Sequence, residues 1–316
     1  MSIIDVHAHY HPRAFLAALS KAMGREIGPF VPHPDTDDAE HIETRLRQMD
    51  EAGVGLQVIA PAAGRAPYGK EESTSLEAAR IANDQHAELV SRYPERFKAL
   101  VTLPLPHIGA SLKELDRAMA LPGMIGLNLH ISAQDRSVAE DEFLPIYEEM
   151  NRRRGIIIYH PCGNSICSPM IADYGFGGAV GTSLEDAAIV LHLIAKQIPH
   201  KFPDITFIVP HFGGPVAMLL DRLNNQFSMK AHNLPEHPKD TARRFYYDTV
   251  GHGSHAAMTA ACMAYGADHV LVGSDFPVLH SWETYDRTIN WIRDVKLPAG
   301  ELELVLEKNA PRVLGL

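Results

Sequence analysis

Eight times along the chain a short, β-rich apolar run is followed by a stretch with helical periodicity, and this alternation limits the fold more than any other feature. The runs fall at residues 3–6, 56–59, 98–103, 125–129, 156–159, 206–209, 245–249 and 270–272. They are nearly continuous in apolar residues, as strands buried on both faces of a parallel sheet are. Amphipathic segments at 38–52, 73–93, 110–120, 140–153, 183–198 and 283–293 lie between them. Eight such units closing on themselves make an α/β fold of the (β/α)8 TIM-barrel type. A doubly wound sheet would carry about five or six strands and a Gly-rich phosphate turn, and no such turn is present. The expectation is one barrel domain spanning residues 1–316.

Two gaps between runs exceed what a βα unit needs, which marks insertions after strand 1 (residues 20–36) and strand 5 (residues 162–182). Both follow C-terminal strand ends, the face where barrels place their sites, so they are candidate lids or pocket walls. With 46% hydrophobic and 22% charged residues, the chain has ample material for a large core. A net charge of −10, and no basic run longer than Arg152-Arg153-Arg154, argue against nucleic acid as a partner. A small anion is still admissible, because a metal ion can dominate the local field. The N-terminus carries no secretory signal, and nowhere do about 18 apolar residues run together. The expected protein is therefore cytoplasmic, with no membrane partner. Three cysteines, Cys162, Cys167 and Cys262, fit reduced thiols better than a disulfide framework.

His7 and His9 follow the first run two residues apart, so both side chains project to one side of an extended backbone. His160, His211 and Asp275 follow the fifth, sixth and eighth runs. Strand ends converge over a barrel mouth, which brings these five residues within reach of one ion. His130 after the fourth run reads as structural or exposed, and His252 after the seventh as either a substrate contact or a solvated loop residue. His41, His86, His107, His200 and His237 fall in helices or connections and read as surface. Phe276 is expected to shape the pocket floor beside the substrate. The pair Gly213-Gly214 serves either substrate approach or a tight turn.

The motifs Ile4-Asp5-Val6-His7-Ala8-His9, Tyr159-His160-Pro161, Pro210-His211-Phe212-Gly213-Gly214, Gly273-Ser274-Asp275-Phe276-Pro277 and Asn309-Ala310-Pro311-Arg312 occur in this order over nearly the whole chain. Together they resemble the amidohydrolase superfamily. Within it they resemble the decarboxylase-type branch that includes 2-amino-3-carboxymuconate-6-semialdehyde decarboxylase and γ-resorcylate decarboxylase. The resemblance implies one divalent metal ion held by His7, His9, His160 and Asp275, with His211 beside it as acid/base group. It also implies a homodimer in which Arg222 reaches a neighbouring active site; the alternative for Arg222 is an ordinary surface residue paired with Asp221 or solvent. The arginine that holds a substrate carboxylate in that branch has no clear counterpart, although Arg13, Arg65 and Arg222 are available.

Three imidazoles and a carboxylate suit Zn²⁺ and tolerate Mn²⁺. The resulting expectation is non-oxidative decarboxylation of a small aromatic or muconate-like carboxylic acid, with His211 and Asp275 as candidates for moving the proton. The alternative is a hydrolase or hydratase that uses metal-activated water on a lactone, an amide or a C–C bond.

Overall fold

The computed structural model describes residues 2–30, 33–227 and 229–316. Its main sheet has eight strands paired in parallel and in sequence order: β1 Ile3–His9, β2 Val54–Ala60, β3 Phe97–Val101, β4 Met124–His130, β5 Ile156–His160, β6 Thr206–Val209, β7 Tyr246–Asp248 and β8 Val270–Leu271. The ends meet through Val6 N–H to Val272 O (2.9 Å), Asp275 N–H to His7 O (2.9 Å), His9 N–H to Phe276 O (2.7 Å) and a parallel bridge between Ala8 and Phe276. The sheet is thus a closed barrel, as the alternation of runs and helices implies.

Two apolar layers hold it. Inside, Val6, Val58, Leu100, Ile156, Ile158, Ile208 and Leu271 pack against one another, and Ala310 and Leu314 of the final helix, Asn309–Leu314, pack against them. Outside, a larger core joins the sheet to the helices Ala39–Ala52, Glu72–Arg92, Ile108–Met119, Leu144–Arg152 and Thr182–Ala195. The helix Ala39–Ala52 ends where Gly53 takes a left-handed φ of 73° and its N–H returns to Asp50 O and Met49 O. The run Gly177–Ala195 is long and apolar enough to span a bilayer by length and composition. Ala187, Ile189, Val190, Leu193 and Ile194 are nevertheless buried in the protein, as in a core helix of a globular fold.

Several boundaries differ from the sequence expectation. β1, β4 and β5 run on through His9, His130 and His160, so these histidines belong to strand pairing rather than to the loops beyond it. The expected helix at 283–293 is a helix Tyr285–Asn290 followed by a 3₁₀ turn Trp291–Asp294. His86, a surface residue by its sequence context, is fully buried. It lies on the face that Ala79, Ala82, Asn83 and Leu89 also bury, and its Nε2 contacts Tyr10 O at 3.0 Å.

The insertion after β1 contains the helix Arg13–Met23, and its residues 31 and 32 lie outside the described residues. Phe30, Pro34 and Asp35 are tied to the barrel mouth. His11 Nδ1 lies 3.0 Å from Asp35 Oδ2, and the Arg65 guanidinium covers the Phe30 ring at 3.6 Å. The buried Arg45 donates to the carbonyls of both His9 and Pro34. With those anchors the segment is a wall, not a loose lid. The insertion after β5 carries a 3₁₀ turn Ser165–Cys167, a short helix Pro169–Ala172 and a π-turn Gly177–Gly181. It exposes Ile166, Met170, Tyr174, Phe176 and Val180.

Candidate metal centre

Strict alternation along β1 would put His7 and His9 on the outward face, with Asp5. The register prevents it: Asp5 pairs with Gln57 but Ala8 with Ile59, so β1 holds one more residue than β2 between those pairs. This bulge carries the strand from one face to the other. Asp5 therefore stays outside, accepting from Gln57 Nε2 (3.2 Å), Tyr285 OH (2.8 Å) and Ser274 Oγ (2.6 Å), while His9 sits opposite Ala60 of the inner layer. His160 continues the inward row of Ile156 and Ile158 and pairs in register with His130. Above the apolar floor the barrel thus has a polar storey.

In that storey His7, His9, His160 and Asp275 are all buried and each offers a ligand atom within 4.8 Å of the other three. Each imidazole has its Nδ1 engaged: His7 with Asp248 Oδ2 (2.7 Å), His9 with Ala60 O (3.1 Å) and His160 with Pro161 O (2.9 Å). All three partners are acceptors, so Nδ1 donates and each neutral ring keeps its lone pair on Nε2. Those nitrogens face one another. His9 Nε2 lies 3.3 Å from His160 Nε2, and Asp275 Oδ1 lies 2.7 Å from His9 Nε2 and 3.4 Å from His7 Nε2, which has no hydrogen-bond partner. Lone pairs and a carboxylate crowded together repel unless a cation lies among them, so the residues present fit a divalent ion.

Electrostatics agree for His9 and His160. Burial pushes His9 and His160 down, and the neighbouring histidines push His160 further, to well below the usual imidazole range. Burial also acts on His7, but the Asp248 carboxylate outweighs it and the net shift is upward. For Asp275, burial is outweighed by the facing His211, His9 and His7 imidazoles, so its carboxyl is held well below the usual range.

His211 stands beside this group, its ring centroid 5.4 Å from that of His7 and its Nε2 4.0 Å from Asp275 Oδ2. Its Nδ1 meets Asp186 Oδ2 at 2.8 Å. Burial lowers His211, but the Asp186 carboxylate more than reverses it, and His211 rises well above its ordinary value; burial in turn lifts Asp186 to about 6. Asp186 comes from the helix Thr182–Ala195, where the adjacent Glu185 accepts from the N–H groups of Cys162 (2.5 Å) and Gly163 (3.0 Å) in the exit loop of β5. His211 and Asp275 both hold left-handed backbone, with φ of 52° and 57°. Their N–H groups bond to Asp248 Oδ1 (2.8 Å) and His7 O (2.9 Å), so the polar network itself supports two conformations that L-residues disfavour.

Sequence reasoning missed Asp186 and Asp248. A carboxylate at a strand end, Asp248, was a detectable signal; Asp186 in mid-helix gave none. One definite expectation needs correction, and several open ones are narrowed. Phe276 is 1% exposed, lies beneath the Arg45 guanidinium at 4.5 Å and meets His280 and Tyr285 edge to face, so it is core rather than a substrate contact. The Gly213-Gly214 pair makes a turn, not a substrate cradle: a Cβ on Gly214 would lie 2.0 Å from Ser183 O, and one on Gly213 2.8 Å from the Tyr247 ring. His252 is at the rim, half exposed, with Nδ1 3.3 Å from Glu283 Oε1. Arg222 lies on the helix Val216–Gln226, in a surface groove with Leu191, Leu219, Leu223 and Phe227, and Asp221 pairs with Lys239 rather than with it. Arg13 pairs with Asp38 at the surface, and Arg65 donates to Gly28 O, so both guanidinium groups have partners between β1 and β2. Cys162 contacts Ser132 and Cys167 is exposed.

A cavity of about 760 Å³ opens beside the cluster, lined by the helix Arg13–Met23, the exit loops of β2 and β5, and the hairpin after β4. The four ligand candidates do not line it; His130 does, with its ring centroid 5.1 Å from that of His160.

A closed parallel barrel with such a cluster at its C-terminal mouth, flanked by a histidine paired with a buried carboxylate, defines a class: barrels that hold a divalent cation at the mouth. A family model described as Amidohydrolase matches residues 4–316, and the chain belongs to that family. Among its relatives, the 6-methylsalicylic acid decarboxylase of Penicillium expansum is 27% identical over 88% of this chain and 85% of its own length. The 2-keto-4-carboxy-3-hexenedioate hydratase of a Sphingobium species is 28% identical over 68% of this chain and 67% of its own. A dihydroxybenzoic acid decarboxylase of a Polaromonas species, solved with manganese and 2-nitroresorcinol, superposes with a TM-score of 0.84 at 22% identity, covering 100% of this chain and 97% of its own.

Proposed function

We propose that the protein is a metal-dependent decarboxylase of a small aromatic or muconate-type carboxylic acid. One observation carries the reading: three imidazole Nε2 atoms and the Asp275 carboxylate converge beside a histidine whose Nδ1 is backed by the buried Asp186. Support comes from decarboxylase relatives that match most of the chain.

His7, His9, His160 and Asp275 would hold the ion, Zn²⁺ by preference and Mn²⁺ as an alternative. When bound, it supplies a Lewis acid that orients a substrate carboxylate and stabilises the charge left on carbon. Asp248, Ala60 O and Pro161 O fix the imidazoles in the tautomer that leaves Nε2 free. In the reaction the bond to the carboxylate carbon breaks, CO₂ departs, and its electron pair stays on the ring or chain carbon, which takes a proton. Of the two candidates, His211 is the donor: Asp186 backs its Nδ1 at 2.8 Å and favours the charged ring, while Asp275 would be committed to the ion. Asp186 orients the His211 ring. The burial of the cluster keeps bulk water from competing for the carbanion. Arg222 would act across a homodimer built on its apolar groove.

The hydratase relative supports a second reading, in which His211, unprotonated, takes a proton from water as the water oxygen adds to one carbon of a double bond, and returns it to the other carbon, where the π electron pair has moved. Headspace mass spectrometry of the zinc- and manganese-loaded protein with carboxyl-labelled hydroxybenzoic and muconic acids separates the two. Labelled CO₂ supports decarboxylation; a product heavier by one water without CO₂ replaces it with hydration.

A further inference from the structure

The cavity beside the cluster contains polar groups that the proposed reaction does not use. His130 is 1% exposed and lines it. Its Nε2 lies 3.1 Å from Ala62 O, a pure acceptor, so Nε2 carries the proton; Nδ1 is left as a lone pair with no partner. No carboxylate contacts the ring, and a buried imidazole without one is neutral. Tyr68, 8% exposed, lines the same cavity. Its hydroxyl oxygen accepts from the His130 backbone N–H at 3.2 Å, and the hydroxyl proton is left to donate. Asn164 adds a second wall residue whose buried Oδ1 has no partner.

An acceptor nitrogen and a donor hydroxyl on neighbouring walls match one ligand group in particular. A hydroxyl donates to the first and accepts from the second, whereas an ether can only accept, and a methyl leaves both unpaired. The imidazoles of His130 and His160 are in contact, with ring centroids 5.1 Å apart, so the cavity wall that His130 forms abuts the ligand cluster. The cavity volume of about 760 Å³ leaves room beyond a single ring.

We propose that this cavity is the substrate's distal subsite, and that it selects carboxylic acids bearing a hydroxyl on the side away from the carboxylate, received by His130 Nδ1 and Tyr68 OH. His130 and Tyr68 are specificity residues here, taking no part in bond breaking. The proposal rests on the metal–carboxylate reading, because it assumes that the carboxylate end faces the cluster.

The test is calorimetry on the zinc-loaded full chain with benzoate, the three hydroxybenzoates, the hydroxy-2-naphthoates, and the methyl ether of each hydroxy acid. At least one hydroxy acid should bind about tenfold or more tighter than its ether. His130→Phe and Tyr68→Phe should each remove that preference while benzoate affinity and zinc stoichiometry stay as in the parent. Tyr68→Phe removes a single oxygen, so it keeps the test open should His130→Phe fail to fold. Benzoate binding without any hydroxyl preference, or a preference that survives both substitutions, overturns the subsite alone. Failure of every acid to bind the loaded protein overturns the metal–carboxylate reading and the subsite with it.

Discussion

Replacing Asp248 with Asn nearly preserves shape and removes one charge from directly behind His7. Asp248 is fully buried; its Oδ2 takes the His7 Nδ1 proton at 2.7 Å, and its Oδ1 accepts from His211 N–H (2.8 Å) and Val250 N–H (3.0 Å). An amide has only one acceptor atom. If that oxygen keeps the two backbone N–H groups, the NH₂ faces His7 Nδ1 and forces the proton onto Nε2, the atom needed for the metal. If the amide turns over, two backbone donors meet an NH₂ group. Either arrangement weakens the site, and removing such a supporting partner typically costs 10- to 100-fold in metal affinity, about 1.4–2.7 kcal/mol. Zinc affinity measured by competition with a chromogenic chelator should fall by that factor in Asp248→Asn. An affinity within twofold of the parent would refute the tautomer argument.

Asp186→Asn should leave zinc affinity unchanged but lower kcat by about 10²-fold, because His211 loses the partner that orients it and keeps it protonated. A donor acts only while protonated and its activity disappears as pH rises through its pKa; since the substitution lowers that pKa, the basic limb of the rate profile should move to lower pH. An unmoved limb would remove His211 from the donor role. Asp5→Ala strips the acceptor from Ser274 Oγ, Tyr285 OH and Gln57 Nε2, and should cost about 3 kcal/mol or more in urea unfolding; less than about 1 kcal/mol would show that the outer network is dispensable. Gly214→Ala forces a Cβ to 2.0 Å from Ser183 O at a φ of 58°, so its thermal midpoint should fall; an unchanged midpoint would contradict the turn assignment.

The barrel was legible because buried parallel strands leave apolar runs and their helices leave amphipathic ones; the order of the eight strands matches that reading. The convergence of His7, His9, His160 and Asp275 was legible because strand ends must meet at a barrel mouth. The means of that convergence was not. Nothing in the alternation of residues 3–9 announces the bulge that turns His9 inward, because an extra residue is defined only against its partner strand. Asp186 was hidden for a related reason: its role depends on which turn of the helix Thr182–Ala195 faces His211, a matter of packing across the molecule. Arg45 and His86 look like surface residues by type. Both are buried because backbone carbonyls of His9, Pro34 and Tyr10 receive their protons.

The metal content of the purified protein, compared with that of His160→Ala, tests the central claim most directly. The account predicts about one equivalent of zinc or manganese per chain by plasma mass spectrometry, lost in the variant while its circular dichroism still reports the barrel. Stoichiometric metal retained in His160→Ala, or no metal in a parent incubated with either ion, would contradict it.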